Sequence, residues 1–260
     1  MNYVTPKKKL GQHFLKDKNI ALKIVESLTA NEAKTILEVG PGMGVLTGLL
    51  LERFGENFYA AEIDAESIEY LKELFPELGN RLIFENFLTL NISKLSSEKI
   101  SIIGNFPYNI SSQIFFKIIE NRSIVDEAVG MVQREVALRI CEPPGTRTYG
   151  ILSVLLQAYY NINYLFTVSE GVFAPPPKVK SAVIKLTRNT TERLDCDEQL
   201  FVKVVKTGFN QRRKTLRNSL KALRSDINTS HPLFEKRPEQ LSVADFIELT
   251  NFLDGKGITI

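Results

Sequence analysis

Ten residues constrain this chain more than any others. Glu38-Val-Gly-Pro-Gly-Met-Gly-Val-Leu-Thr47 carries an apolar run of strand length, Thr35–Val39, into a helix-like stretch over 45–54. Glycines at 40, 42 and 44 permit a tight backbone turn with no Cβ in the way of a ligand. A glycine-rich turn from strand into helix opens a doubly wound α/β sheet, and the crevice beside it is where such sheets hold ligands. The turn alone is weak evidence of what is held, since dinucleotide enzymes use one too. Two details shift the balance. The spacing is Gly-x-Gly-x-Gly with Pro41 inside it, which departs from Gly-x-Gly-x-x-Gly. Glu38 also precedes the turn on the strand, where it would crowd a pyrophosphate but suits a cationic, aminoacyl-bearing ligand.

The rest of the chain fits such a sheet. Apolar runs at Thr35–Val39, Phe58–Ile63, Leu82–Phe84, Ile100–Ile103 and Ala128–Val132 read as buried strands, with helix-like segments near 45–54, 66–75 and 111–121 between them. Alternation at this spacing predicts a mostly parallel sheet with right-handed crossovers and helices on both faces, a Rossmann-like α/β fold. After Gly150 a long apolar helix is expected over Ile151–Tyr160, then strand-like runs at Tyr164–Val168 and Ser181–Leu186. Pro175-Pro-Pro177 separates these runs and excludes regular helix or inner strand there. The polar stretch near 188–198 reads as a linker. Beyond it, Val202, Val205, Phe209, Leu216, Leu220 and Leu223 recur at helical spacings. The expected organisation is an α/β domain over 1–188 and a small all-helical domain over 189–260.

Charge is uninformative in total and informative in place. The 260 residues sum to +3, yet Phe201–Arg224 holds eight basic residues and no acidic one, leaving −5 for the remainder. That asymmetry is the footprint of a nucleic-acid contact surface, although a solvated helix face gives the same pattern. The basic run Lys7–Lys9 is interrupted at once by Gly11, Gln12, His13 and Lys16, which argues against a secretory signal. No apolar stretch has membrane-spanning length. Cys141 and Cys196 lack metal-ligand spacing, so no metal is expected and a reducing cytoplasm fits.

Two acids follow the second strand run. Glu62 is placed to accept hydrogen bonds from a ribose hydroxyl pair, with Asp64 as the competitor. Asp64 followed by Ala-Glu-Ser suits a helix N-cap, which favours Glu62 as the ligand. After the fourth strand comes Asn105-Phe-Pro-Tyr108. The Asn105 side-chain oxygen and the carbonyl of Phe106 or Pro107 can each accept one N–H of an aromatic exocyclic amine. That draws the nitrogen towards a tetrahedral shape and stabilises the charge developing on it as it is methylated. Tyr108 can stack on the base. Phe173 either holds the opposite face of a flipped base or plugs the core under its proline-rich loop.

Taken in order, these blocks resemble the ribosomal RNA adenine dimethylase family, nearest its small-subunit members, from about Lys9 to Leu220. Leu10-Gly-Gln-His-Phe-Leu15 is similar to the family's N-terminal motif and Asn105-Phe-Pro-Tyr-Asn-Ile-Ser111 to its catalytic motif. Met131–Ala137, Phe173–Val183 and Phe209–Leu220 match three further blocks. The resemblance implies S-adenosylmethionine as cofactor, held by His13, Leu15, Gly40, Glu62, Asn86 and Asn105. It implies Asn105, Pro107, Tyr108 and Phe173 as catalytic residues. His13 and Asn86 depart from the family's usual Asn and Asp. An uncharged acceptor at 86 would bind the adenine amino group more weakly.

The reaction implied is dimethylation of two adjacent adenosines near the 3′ end of small-subunit (16S) ribosomal RNA. The substrate would be a partly assembled subunit, gripped at its phosphates by Arg212, Arg213, Lys214 and Arg217, with Lys7–Lys9 adding to that surface. A monomeric, cytoplasmic protein is expected. The rivals are a resistance-type methylase of large-subunit RNA, a DNA adenine or protein glutamine methylase, and a non-catalytic assembly factor. An NAD-dependent dehydrogenase is disfavoured by the glycine spacing.

Overall fold

The computed structural model describes residues 4–30, 35–223 and 228–255. Its main sheet is seeded by the strand that enters the glycine turn, β2 (Thr35–Val39), all five of whose residues are buried. β3 (Phe58–Glu62) lies parallel to it on one side and β5 (Ile100–Asn105) parallel on the other. β4 (Leu82–Phe84) extends the first side and β6 (Val125–Gln133) the second, both again parallel. β9 (Ser181–Arg188) then runs antiparallel to β6, with β7 (Tyr160–Val168) beyond it. The order is β4-β3-β2-β5-β6-β9-β7. Strands such as β2 and β5, buried along nearly their whole length, require cover on both faces. The expected fold class is therefore found, with an antiparallel insertion that apolar runs alone do not reveal.

The strand order reverses between β2 and β5, and there the carboxyl ends of the strands part to leave a crevice. A second, two-stranded sheet borders it. β1 (Phe14–Leu15) pairs antiparallel with β8 (Phe173–Ala174), bringing Phe14 opposite Ala174 and Leu15 opposite Phe173.

Capping and apolar spacing account for the helices. α1 (Lys18–Ser27) starts where the Asp17 carboxylate accepts the N–H groups of Asn19 and Ile20 at 2.9 and 3.1 Å, and it buries Ala21, Ile24 and Val25. It packs on α2 (Val45–Phe54), the helix that leaves the glycine turn. α3 (Ala65–Leu74) and α4 (Ser111–Glu120) follow β3 and β5. α5 (Arg134–Cys141) follows β6 and α6 (Ile151–Gln157) precedes β7. α6 is shorter than the expected 151–160, because the chain is already in strand conformation at Tyr160.

The chain folds into two units, Met1–Ala137 with Asn161–Arg188, and Leu138–Tyr160 with Asn189–Ile260. The second unit holds α6, α7 (Glu198–Asn210), α8 (Leu216–Ser219) and α9 (Val243–Leu253). Its core includes Phe201, Val204, Val205, Phe234 and Phe246, all fully buried. Tyr149, Phe209 and Phe246 form a run of neighbouring rings with centres 6.2 and 6.0 Å apart. Ser242 and Asp245 cap α9 reciprocally. No helix among the described residues is long and apolar enough to cross a membrane.

Candidate active site

A pocket opens at the crevice. Its walls come from Leu10–Leu15, from the turn Val39–Met43 after β2, from Glu62 and Ile63 after β3, from Glu85–Leu88 after β4 and from Asn105–Ile110 after β5. Four strand ends and the N-terminal segment thus converge, which is why residues so far apart in sequence share one cavity.

Gly40 enters the turn at φ +69°, a left-handed conformation that costs a residue with a Cβ. Gly42, at φ +56°, shares that reason and has a second: a Cβ there would stand 2.9 Å from the Phe14 ring of β1. The Gly42 N–H donates to Glu62 Oε2 at 3.0 Å, while Glu62 Oε1 accepts the N–H groups of Ile63 and Asp64 at 2.8 and 2.9 Å. Burial raises the Glu62 pKa, partly opposed by those backbone bonds. The carboxylate is thereby fixed in orientation at the pocket wall.

Asp64 does not behave as expected. It stands at the N-cap position of α3 but caps no backbone N–H. Its carboxylate instead accepts from the Lys7 ammonium, from Gln12 Nε2 at 3.3 Å and from Ser67 Oγ at 3.1 Å. Burial would raise its pKa, but these bonds outweigh burial and hold it below the usual carboxylate range. Lys7, which also pairs with Glu66 at 3.2 Å, is therefore committed to clasping the N-terminal segment onto α3, and the expectation that it joins an RNA surface is corrected. Gln12, which lines the pocket and donates to Asp64, is a site-shaping residue that sequence reasoning did not single out.

Asn105 sits at the end of β5 with its Nδ2 donating to the main-chain carbonyl of His13 at 2.8 Å. With the amide nitrogen so engaged, Oδ1 is the atom left to accept from a ligand. The His13 ring meets the Pro175 carbonyl at Nδ1, 2.8 Å away, and stacks on Tyr108 with ring centres 5.3 Å apart. The Tyr108 hydroxyl is bonded to Ser181 Oγ. Burial raises the Tyr108 pKa, so the phenol stays neutral. Pro107 lines the pocket, and its carbonyl already accepts the Ile110 N–H at 3.2 Å. Asn86 lines it too, with Oδ1 accepting the Leu88 N–H at 2.9 Å. Leu15 and Gly40 complete the predicted set within the pocket.

Phe173 is the exception. It is 1% exposed, pairs with Leu15 across the small sheet and belongs to the core with Ile24, Leu28 and Val168. It packs in the core and is not among the residues that line the pocket. Of its two expected places, the described structure shows Phe173 in the core. Glu38 is likewise fully buried and takes a 2.7 Å hydrogen bond from Thr47, behind the turn.

In the helical unit the four predicted phosphate-binding residues differ. Arg213 and Lys214 are exposed in the turn between α7 and α8. Arg212 donates to the Thr146 carbonyl at 3.2 Å and lies 3.9 Å from Glu239. Arg217 pairs with Glu235 and donates to Thr229 at 2.7 Å. Arg224, in the same basic stretch, lies outside the described residues.

Comparison with known proteins supplies the context for this geometry. The family model described as ribosomal RNA adenine dimethylase matches residues 4–254. A protein of Parabacteroides distasonis named ribosomal RNA small subunit methyltransferase A is 56% identical over 252 residues, 96% of this chain and 94% of that one. Among solved structures, a dimethyladenosine transferase from Plasmodium falciparum superposes with a TM-score of 0.77 at 25% identity, covering 95% of this chain and 99% of the other. The 23S rRNA methyltransferase ErmE shares the fold, with a TM-score of 0.67 at 24% identity over 92% of this chain and 99% of that one.

Proposed function

The chain belongs to the ribosomal RNA adenine dimethylase family, and from that premise we propose how its own residues carry the family's reaction. It is an S-adenosylmethionine-dependent adenine N6-dimethyltransferase that acts on two adjacent adenosines near the 3′ end of small-subunit (16S) ribosomal RNA. The pocket's chemistry fits that cofactor. Leu15, Ile63, Phe87 and Leu88 offer apolar walls for an adenine ring, Glu62 a fixed carboxylate for the ribose hydroxyls, and the Gly40 turn a close backbone for the methionine end. When bound, the cofactor supplies a methyl group on a positively charged sulfur, already activated for displacement.

The chain's task is then positioning and charge stabilisation. The observation that carries the reading is the hydrogen bond from Asn105 Nδ2 to the His13 carbonyl. It presents Oδ1 as an acceptor for one N–H of the adenine amine. The second acceptor is the carbonyl of Phe106 or of Pro107, the latter already taking one hydrogen bond, from Ile110, and Pro107 also shapes the turn. Tyr108, braced by Ser181 and His13, offers a fixed ring for stacking on the base. No side chain needs to act as a base, since the nitrogen becomes acidic as it gains the methyl group.

The helical unit over 189–260 is assigned to RNA. Arg213 and Lys214 carry most of the phosphate contact in this reading, and Arg212 and Arg217 support the turn that presents them. The substrate is a partly assembled small subunit, and the protein acts as a cytoplasmic monomer.

The test is methyl transfer from labelled S-adenosylmethionine to small subunits from a strain lacking the modification, with large subunits and DNA as controls. Dimethyladenosine is expected in small-subunit RNA alone. N105A should lower kcat by about 10²–10³-fold, the usual cost of removing one electrostatic partner of a transition state. Binding without transfer by the unaltered chain would instead support an assembly factor.

A further inference from the structure

α4 follows the Asn105–Tyr108 turn and buries Ile114, Phe115, Ile118 and Ile119, and with them a lysine, Lys117, which is 8% exposed. The Lys117 ammonium donates to the carbonyls of Leu88 at 3.0 Å and Leu90 at 2.5 Å, and it stands 5.2 Å from the centre of the Phe87 ring. The contrast with Lys185 is instructive: that lysine has Glu127 at 2.6 Å, an acid to match its charge. Lys117 donates to main-chain carbonyls and faces an aromatic ring, with Glu120 and Glu85 near enough to favour its charge but too little to offset burial, which lowers its pKa.

The carbonyls it takes belong to the pocket wall. β4 ends at Phe84, and the segment 86–90 beyond it is folded around Asn86. Asn86 Oδ1 accepts the Leu88 N–H, and its carbonyl accepts the N–H groups of Thr89 and Leu90 at 3.0 and 2.9 Å. All of these bonds are local to the segment. Lys117 supplies the bonds that tie it to α4. The same helix is joined to the catalytic turn by Ile110 N–H to the Pro107 carbonyl and by Ser111 Oγ to the Tyr108 carbonyl at 3.3 Å.

We propose that Lys117 is a positioning residue for methyl transfer, a strut that sets the Glu85–Leu88 wall, and with it the cofactor's adenosine end, at a fixed separation from the Asn105–Tyr108 turn. The proposal rests on the reading of that wall as the adenosine site. An apolar side chain at 117 holds neither carbonyl, and glutamine, uncharged and one bond shorter than lysine, holds them less well. Loss of the strut lets the wall drift, and misplacement of about 1 Å in a positioned reactant costs on the order of 10²-fold.

The experiment compares K117M, K117Q, K117R and N86A. It reads calorimetric Kd for S-adenosylmethionine and S-adenosylhomocysteine, steady-state KM for cofactor and for unmodified small subunits, kcat, and the melting temperature. K117M should lower kcat at saturating cofactor by about 10–100-fold and raise cofactor Kd and KM, leaving the KM for subunits within about threefold. K117R, which keeps the charge and the donors, should recover most of the loss. Should the methionine variant fail to fold, K117Q reads the same quantity. Unchanged kcat and cofactor affinity in K117M with a lowered melting temperature, while N86A still weakens binding, would overturn the strut and leave the wall assignment standing. Unchanged affinity in both N86A and K117M would overturn the wall assignment and the strut with it.

Discussion

Glu38 has no exposed surface and one carboxylate oxygen, Oε1, with no hydrogen-bond partner. Burial pushes its pKa up to about 8, against which the Thr47 hydrogen bond is a smaller effect and the nearby Glu62 charge an addition. The native state then keeps a proton that the unfolded chain releases near pH 4.5. The unfolded state binds fewer protons across that window, so stability falls as pH rises from about 4.5 to about 8. E38Q removes the titration. Urea unfolding at pH 5 and pH 8 should show the glutamine variant gaining on the parent by a few kcal/mol at the higher pH. A difference independent of pH would show that Glu38 is ionised throughout. Residue types at the site were largely legible: Glu62, Asn105 and Asn86 are where their positions after strands put them. What the sequence could not disclose is work done by the backbone. The His13 carbonyl that orients Asn105 carries no side-chain signature, and Phe173 has a residue type equally at home in a core or against a base.

The turn between α7 and α8 shows how an element redistributes a run of charge. Arg212 and Arg217 are drawn back onto Thr146, Glu239, Glu235 and Thr229, leaving Arg213 and Lys214 outward. Removing both outward charges should flatten the plot of log affinity for small-subunit RNA against log salt by roughly 0.7–0.9 per residue. R217A should leave the slope nearly unchanged, because its charge is already matched. Equal effects from all four residues would refute this division. Among the elements, strands with unbroken apolar runs were readable from sequence, since full burial permits little else. α1 was not read as a helix, although Asp17 before Ile20, Ala21 and Ile24 is a recognisable start. β1 and β8, two residues each, could not be read at all, because pairing between distant segments, not local preference, makes them strands.

At the scale of the molecule, sequence order and spatial order part company in the sheet. β9 is inserted beside β6, and Phe14 near one end of the chain pairs with Ala174. Every residue that lines the pocket lies between Leu10 and Ile110, yet the small sheet that borders it needs residues 173 and 174. Synthesis proceeds from the amino terminus, so the residues that line the pocket emerge early and wait for their partner strands. Pairings of such long range are closed late. A ribosome-held nascent chain halted once residue 120 has cleared the exit tunnel should therefore bind no S-adenosylhomocysteine, and one halted after residue 190 should bind it. Capture at the shorter length would show that the early strands suffice. If only the longer chain binds, the order of manufacture acts as a safeguard: a half-made copy of this enzyme carries the residues that line the pocket without the strand that closes beside them.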